Sequence, residues 1–270
     1  MIQTTLNDAY LTSHYNLPFY RIKTFDGYPY LKQVIFTRLG GISQTPFHSL
    51  NMSEAVGDTP ATVEHNFELA CQSLQITPSQ TVSCHLIHKS DILTIDNTNQ
   101  QRMMGYADGL VTNEPNVYLA MRFADCTPLI FFDPTQKIIG LSHAGWRGTM
   151  QNIATETVRA MRQLGAKIKN IIAVIGPSIG PCCYEVGTEV LDAAGQTFQR
   201  PDALFDYRHG KNQRPYFDMW QANQQLLIET GVRTIIHTNL CTACNTDKFF
   251  SHRAENGRTG RFGVIIGLKE

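Results

Sequence analysis

The chain has 270 residues, 42% hydrophobic and 17% charged, with 23 basic side chains balanced by 23 acidic ones. That balance leaves no electrostatic footprint for nucleic acid or an anionic membrane surface, and no apolar run approaches the roughly 18 residues of a membrane span. Seven cysteines, odd in number and irregularly spaced, read as reduced thiols, and residues 1–21 lack the basic-then-apolar pattern of a signal peptide.

Without repeats, low-complexity tracts or Pro/Ser-rich linkers, the expectation is a single domain over residues 1–270, working in the cytoplasm. Runs rich in β-branched or aromatic residues, bounded by turn residues, predict strands. In chain order, LKQVIFT (31–37) is the first strand. TPATVEHN then opens a helix over 60–75, with Pro60 in its first turn. Strands follow at 88–96, 116–125, 128–133 and 137–144, with DPTQK as a hairpin loop between the last two. A second helix spans 149–164, where Met150, Ile153, Ala154, Val158, Met161 and Leu164 fall near helical spacing and Gly165 follows as the stop. NIIAVIG (170–176) is a strand, and 199–217 reads as a surface excursion. A third helix covers DMWQANQQLLIETG, starting at Asp218 with Gln221 three residues on, and ending at Gly231. Strands at 232–238 and 262–268 close the chain. Hairpins mixed with helical crossovers predict an α+β fold, a mixed β-sheet core with flanking helices.

Three stretches carry chemistry. In KIIGLSHAGWRGTM a strand runs to His143, and a turn between Gly145 and Gly148 opens a helix. Its first N–H groups favour an anion, and Arg147 adds a planar donor for phosphate or carboxylate. The plainer alternative is a strand–helix turn whose arginine caps something local. Cys126 in FADC is a structural thiol, a nucleophile or a metal ligand; His143 is a core histidine or a ligand. Hairpin-connected strands over 116–125, 128–133 and 137–144 set the first and third parallel, so that Cys126 and His143 meet at one edge. His85 and His88 in CHLIHKSD point opposite ways in an extended segment, so one of them completes the set. Two imidazoles and a thiolate suit Zn²⁺, and three protein ligands leave the fourth tetrahedral position open, as catalysis requires. Cys241 and Cys244 in CTAC lack a second pair to complete a ribbon, and adjacent Cys182 and Cys183 do not easily grip one ion. Both pairs are expected to ligate nothing.

FTRLGGIS, LNMSEAVGD, YADGLVT, FADCTPL, SHAGWRGT, IGPSIGPCCYEVG and FFSHRAENGRTGRFG follow one another as in the purine nucleoside phosphorylase family. That family is also called multicopper polyphenol oxidase, or laccase-domain, proteins and peptidoglycan editing factor. The resemblance covers residues 36–268. It implies a fold related to bacterial cytotoxic deamidase domains and a zinc held by His88, Cys126 and His143. The family usually reads Gln-x-His-Gly where this chain has Leu86-Ile87-His88-Lys89; His88 is preferred to His85 because HKSDILTID continues as the family's next strand does. Phe67 stands where an arginine is common. The activity implied is phosphorolysis of adenosine, inosine, guanosine and methylthioadenosine, with hydrolytic deamination of adenosine. Purine nucleosides and phosphate are then the partners. Arg147 is a candidate phosphate ligand, with Arg38, Arg253 and Arg258 competing, and Asp108 in ADG is the nearest carboxylate for a proton shuttle. For each, a structural salt bridge is the alternative.

A copper polyphenol oxidase is disfavoured, because it builds its copper centres largely from His-x-His pairs. This chain has nine histidines and no such pair, though a soft site can take up copper in vitro. A hydrolase with Cys126 as nucleophile and His143 as base is the main rival enzyme. Editing of a muramyl-peptide precursor and a non-enzymatic nucleoside-binding module are the other readings.

Overall fold

In the computed structural model, which describes residues 2–6, 8–96, 102–208 and 214–270, two seven-stranded mixed sheets share one apolar core. The first runs, in spatial order, β1 (Gln3–Leu6), β15 (Thr234–His237), β12 (Ile172–Ile175), β10 (Thr127–Asp133), β11 (Ile138–Ala144), β8 (Gly109–Thr112) and β6 (Ile92–Thr94). The second runs β2 (Ala9–His14), β3 (Leu17–Ile22), β4 (Leu31–Phe36), β16 (Phe262–Leu268), β9 (Tyr118–Phe123), β5 (Thr81–His85) and β7 (Met103–Tyr106). A two-residue ribbon, β13 (Phe205–Asp206) with β14 (Tyr216–Phe217), stands apart.

The continuous apolar runs are explained by burial on both faces. Along β10, Ile130 and Phe132 point into the core between the sheets, where they join Met121, Phe123 and Val264 of the second sheet. Leu129 and Phe131 point the other way, against α3 (Ile153–Gln163) and α5 (Met219–Thr230) through Val158, Met161 and Leu226. The outer face of the second sheet is covered by α1 (Pro60–Ser73), whose Phe67, Ala70 and Cys71 meet Val34, Phe36 and Ile265. The α+β expectation therefore holds, with two mixed sheets between helices. Among the described residues no helix is long and apolar enough to cross a membrane.

Four local departures matter. The helix expected over 149–164 is two, α2 (Trp146–Met150) and α3, separated at Asn152, whose φ of 62° is left-handed. Asn tolerates that region better than most residues. A further helix, α4 (Thr188–Thr197), lies outside the expected set. The strand expected over 88–96 shrinks to β6, leaving His88 in a loop with φ 57°. Most consequential, 116–125 and 128–133 do not form a hairpin: β9 belongs to the second sheet and β10 to the first. The chain crosses between sheets at Ala124–Cys126, with Asp125 at φ 79°. Only β10 and β11 form the expected hairpin. The third helix starts and stops as its sequence predicts: the Asp218 side chain accepts from Gln221 N–H at 2.9 Å, and Gly231 adopts φ 98°. The expected excursion 199–217 holds a short 3-10 turn and the β13–β14 ribbon; its residues 209–213 lie outside the described ones.

Candidate active site

The crossing at Cys126 and the end of β11 at His143 place both side chains at the seam between the sheets. The loop after β5 adds His88, and the three donor atoms lie within 4.8 Å of one another. The His88 and His143 rings meet edge to face at 5.0 Å, and His143 packs on Phe123 at 5.5 Å. So the ends of β9 and β11 do converge, across the seam rather than within one sheet. His85 is not in this group; it lines the neighbouring cleft, its ring 5.3 Å from Tyr106.

Asp108, fully buried, organises this group. Its Oδ1 accepts from the His88 N–H at 3.0 Å and faces His143 Nδ1 at 3.1 Å; its Oδ2 accepts from the N–H groups of Ile87 at 3.1 Å and Lys89 at 2.8 Å. These three backbone donors pin the loop that carries His88 in its left-handed conformation. Burial pushes the Asp108 carboxyl up, but the His143 contact and the backbone donors outweigh it and hold the pKa below the ordinary value. Both oxygens are thus engaged, so Asp108, expected as a proton shuttle, holds the loop and the His143 ring in this arrangement. With Nδ1 turned to Asp108, His143 keeps Nε2 for Cys126 or a metal, the usual arrangement of a carboxylate behind a ligating histidine.

Two glycines show how tightly the cradle is drawn. A Cβ on Gly145 would sit 2.9 Å from Cys126 Sγ and 3.5 Å from His88 Nδ1, so only glycine leaves room for the thiol. A Cβ on Gly148 would meet the Lys89 carbonyl at 2.9 Å, which explains the spacing of the Gly-Trp-Arg-Gly turn. Burial acts to raise the Cys126 thiol, yet the charge and hydrogen bonds of His143, with help from His88, bring it down to about 6. His143, which burial would lower, is raised to about 9 chiefly by the Cys126 charge and then by Asp108. A thiolate facing an imidazole nitrogen, a second imidazole and a carboxylate-oriented tautomer fit a borderline metal such as zinc, with three protein ligands and an open side.

That open side faces a cleft of about 1190 Å³. Arg147 reaches it, its guanidinium stacked 4.3 Å over the Trp146 ring. The helix behind it, α2, is only five residues long, so the anion-binding helix start expected there offers little dipole. Arg253 lines the cleft as well, donating to the Glu185 carbonyl at 2.8 Å and lying over Tyr184. Arg38 does not line it. Its guanidinium is consumed by Glu255 at 2.9 Å, by the carbonyls of His48 and Thr246, and by the Phe250 ring at 4.4 Å. Arg38, expected as a phosphate candidate, thus has its guanidinium engaged away from the cleft, and Arg258 also lies outside the cleft lining.

Arg122, Arg261, Tyr184 and His252 line the cleft and escaped the sequence reading. Arg261 shares the GRTGR motif with Arg258, and packing alone separates them. Burial lowers the pKa of both Arg122 and Arg261 and raises that of Tyr184. Asp125, beside the thiol, accepts from Thr242 Oγ1 and from the Arg253 N–H, both at 2.6 Å, and so ties the cleft wall to the crossing.

Two mixed sheets with a His–Cys–His group at their seam define a class of α+β protein, and the sequence agrees. Residues 32–269 match the family model described as multi-copper polyphenol oxidoreductase laccase, and the chain belongs to that family. Its relatives include a protein named purine nucleoside phosphorylase YlmD from Bacillus subtilis (strain 168), 36% identical over 246 residues, 87% of each chain. Another is purine nucleoside phosphorylase YfiH of Escherichia coli (strain K12), 33% identical over 232 residues, 86% of this chain and 91% of that one. Among solved structures, YlmD from Geobacillus stearothermophilus matches with a TM-score of 0.89 at 32% identity, covering 96% of this chain and 99% of that one.

Proposed function

We propose that this protein is a zinc-dependent purine nucleoside phosphorylase acting on adenosine, inosine, guanosine and methylthioadenosine, and that it also deaminates adenosine. The observation that carries the reading is the convergence of His88, Cys126 and His143, with Asp108 fixing the tautomer of His143, at the floor of an arginine-lined cleft. The names of the relatives support it. When bound, Zn²⁺ supplies a Lewis acid and a means of lowering the pKa of water. The chain supplies the rest. His143 through Nε2, Cys126 through Sγ and His88 would hold the ion, and Asp108 positions two of these without touching substrate. Arg147 and Arg253 hold phosphate, which approaches the ribose while the purine departs. Trp146 and Tyr184 give the cleft aromatic surface for a base. A single domain in the cytoplasm goes with this reading.

A second reading is favoured by one observation. With its thiol held down to about 6 beside His143, Cys126 has the makings of a nucleophile for an amidase acting on a muramyl-peptide precursor. The same pair supports the kinship with cytotoxic deamidase domains. One assay separates the two. Zinc-loaded protein is incubated with adenosine, with and without phosphate, and adenine, inosine and hypoxanthine are resolved. Adenine formed only with phosphate supports the main reading; no product in either tube overturns it.

A further inference from the structure

We propose that Cys182, Cys183, Cys241 and Cys244 form a second metal site, a zinc held by four thiolates that braces one wall of the cleft. The inference is independent of the function proposed above and concerns a different set of residues.

The four sulfurs lie within 4.8 Å of one another, with Cys183 Sγ 3.3 Å and Cys182 Sγ 3.5 Å from Cys244 Sγ. A tetrahedron with zinc–sulfur bonds of about 2.3 Å has sulfur–sulfur edges of about 3.8 Å, close to these spacings. A disulfide would need about 2.05 Å. An iron–sulfur cluster, with several irons and sulfides between the thiolates, needs its cysteines farther apart.

The backbone explains why the sequence hides the site. In an extended segment adjacent cysteines point apart, but here they sit in a tight turn, with Cys183 N–H and Tyr184 N–H both donating to the Gly180 carbonyl at 3.0 and 3.1 Å. That turn swings both sulfurs to one side. On the other strand of the clamp, Asn245 N–H donates to the Cys241 carbonyl at 3.1 Å, a helical turn that sets Cys241 and Cys244 on one face. The missing second pair for CTAC is therefore the vicinal pair 61 residues away. The surroundings suit a doubly negative zinc–tetrathiolate. Gly180 N–H donates to Cys241 Sγ at 3.2 Å, and the Arg208 guanidinium donates to the carbonyls of Pro181 at 2.8 Å and Cys182 at 3.3 Å. Four protein ligands close the coordination sphere, which marks a structural ion rather than a catalytic one.

What such an ion would hold is the cleft wall. Tyr184 follows Cys183 directly, and Arg253 donates to the next carbonyl, Glu185. Thr242, between the other two cysteines, donates to Asp125 beside Cys126. Binding converts four thiols and Zn²⁺ into the tetrathiolate and releases four protons, so affinity rises with pH.

The test counts zinc per chain and reads the coordination with Co²⁺. Wild type is expected to hold two zinc ions, one if the centre at His88, Cys126 and His143 proves not to bind metal. Cys241→Ser with Cys244→Ser removes one of them. The triple variant His88→Ala, Cys126→Ala, His143→Ala retains one, and on Co²⁺ exchange this ion shows the intense sulfur-to-metal charge-transfer band of a tetrathiolate. The triple variant also keeps the question open to measurement if the cysteine double variant fails to fold. Stripping its ion is expected to lower the Tm by at least about 5 °C. No zinc in the triple variant, a disulfide among these four cysteines in protein purified under reducing conditions, or an unchanged Tm on stripping would each overturn the proposal.

Discussion

Asp108→Asn isolates the least obvious part of the centre. The carboxylate meets four groups: His88 N–H and His143 Nδ1 at Oδ1, and the Ile87 and Lys89 N–H groups at Oδ2. An amide supplies one oxygen and one NH₂. With its oxygen at the Oδ2 position, the NH₂ donates to His143 Nδ1, drives the proton to Nε2 and removes the lone pair a metal needs. It also leaves the His88 N–H unanswered. With the oxygen at the Oδ1 position, His143 keeps its tautomer, but the N–H groups of Ile87 and Lys89 face a donor. Each buried donor left unpaired costs about 1–3 kcal/mol, so this orientation costs about 2–6 kcal/mol. The protein settles in whichever is cheaper. Either zinc affinity falls about 10- to 100-fold, the usual range for a lost carboxylate behind a histidine ligand, or stability falls by at least about 2 kcal/mol. Zinc content after competition with a chelator reads the first, and urea unfolding of the metal-free protein reads the second. A variant that keeps both at wild-type values refutes the reasoning.

Gly145→Ala puts a methyl 2.9 Å from Cys126 Sγ; zinc content is expected to fall severalfold with the fold intact by circular dichroism, and full occupancy would count against the cradle. Arg38→Ala loses an ion pair, two carbonyl contacts and a ring stack. It should cost about 2–3 kcal/mol in unfolding without raising the KM for phosphate, whereas Arg147→Ala and Arg253→Ala should raise that KM about tenfold or more at nearly unchanged stability; the reverse pattern would exchange their roles. In metal-free protein, iodoacetamide should alkylate Cys126 with a midpoint near pH 6, against an ordinary thiol value of 9.0, and zinc should block the reaction; a midpoint above 8 would show that His143 does not stabilise the thiolate. The sign for stability follows. The thiol's contribution is complete above 9.0 and is lost as pH falls through about 6, while that of His143 is complete below 6.5 and is lost as pH rises through about 9. Since each shift depends on the other's charge, metal-free protein is most stabilised by the pair between about pH 6 and 9.

The sequence carried the donors better than their setting. Cys126 and His143 are legible because both end strongly apolar strands, and strand ends are where side chains can meet. Their route is not: short connections imply parallel placement in one sheet, whereas the left-handed Asp125 turns the chain into a second sheet and the meeting occurs across the seam. Edge strands such as β1 and β2 carry too few apolar residues to declare themselves, so the number of sheets was not legible. Nor could the sequence rank the arginines. Arg38 and Arg261 sit in comparable motifs, and only the fold shows that Glu255, two backbone carbonyls and the Phe250 ring engage Arg38 while Arg261 lines the cleft. Asp108 is legible as a carboxylate, but its donors come from backbone N–H groups of 87–89, which no side-chain pattern reveals. The four outlying cysteines come together through two turns well separated in the chain, Cys183 and Cys244 being 61 residues apart.

The three donors at the seam differ in cover: His88 is exposed, Cys126 intermediate and His143 buried. Solvent therefore reaches them in that order, and an ion held there would be expected to let go of His88 first. The side His88 closes is the one open to solvent, with Cys126 and His143 the deeper pair. Substituting His88 should speed release far more than it disturbs the remaining pair, so the residence time of the ion, rather than the shape of its pocket, is what the loop carrying His88 controls.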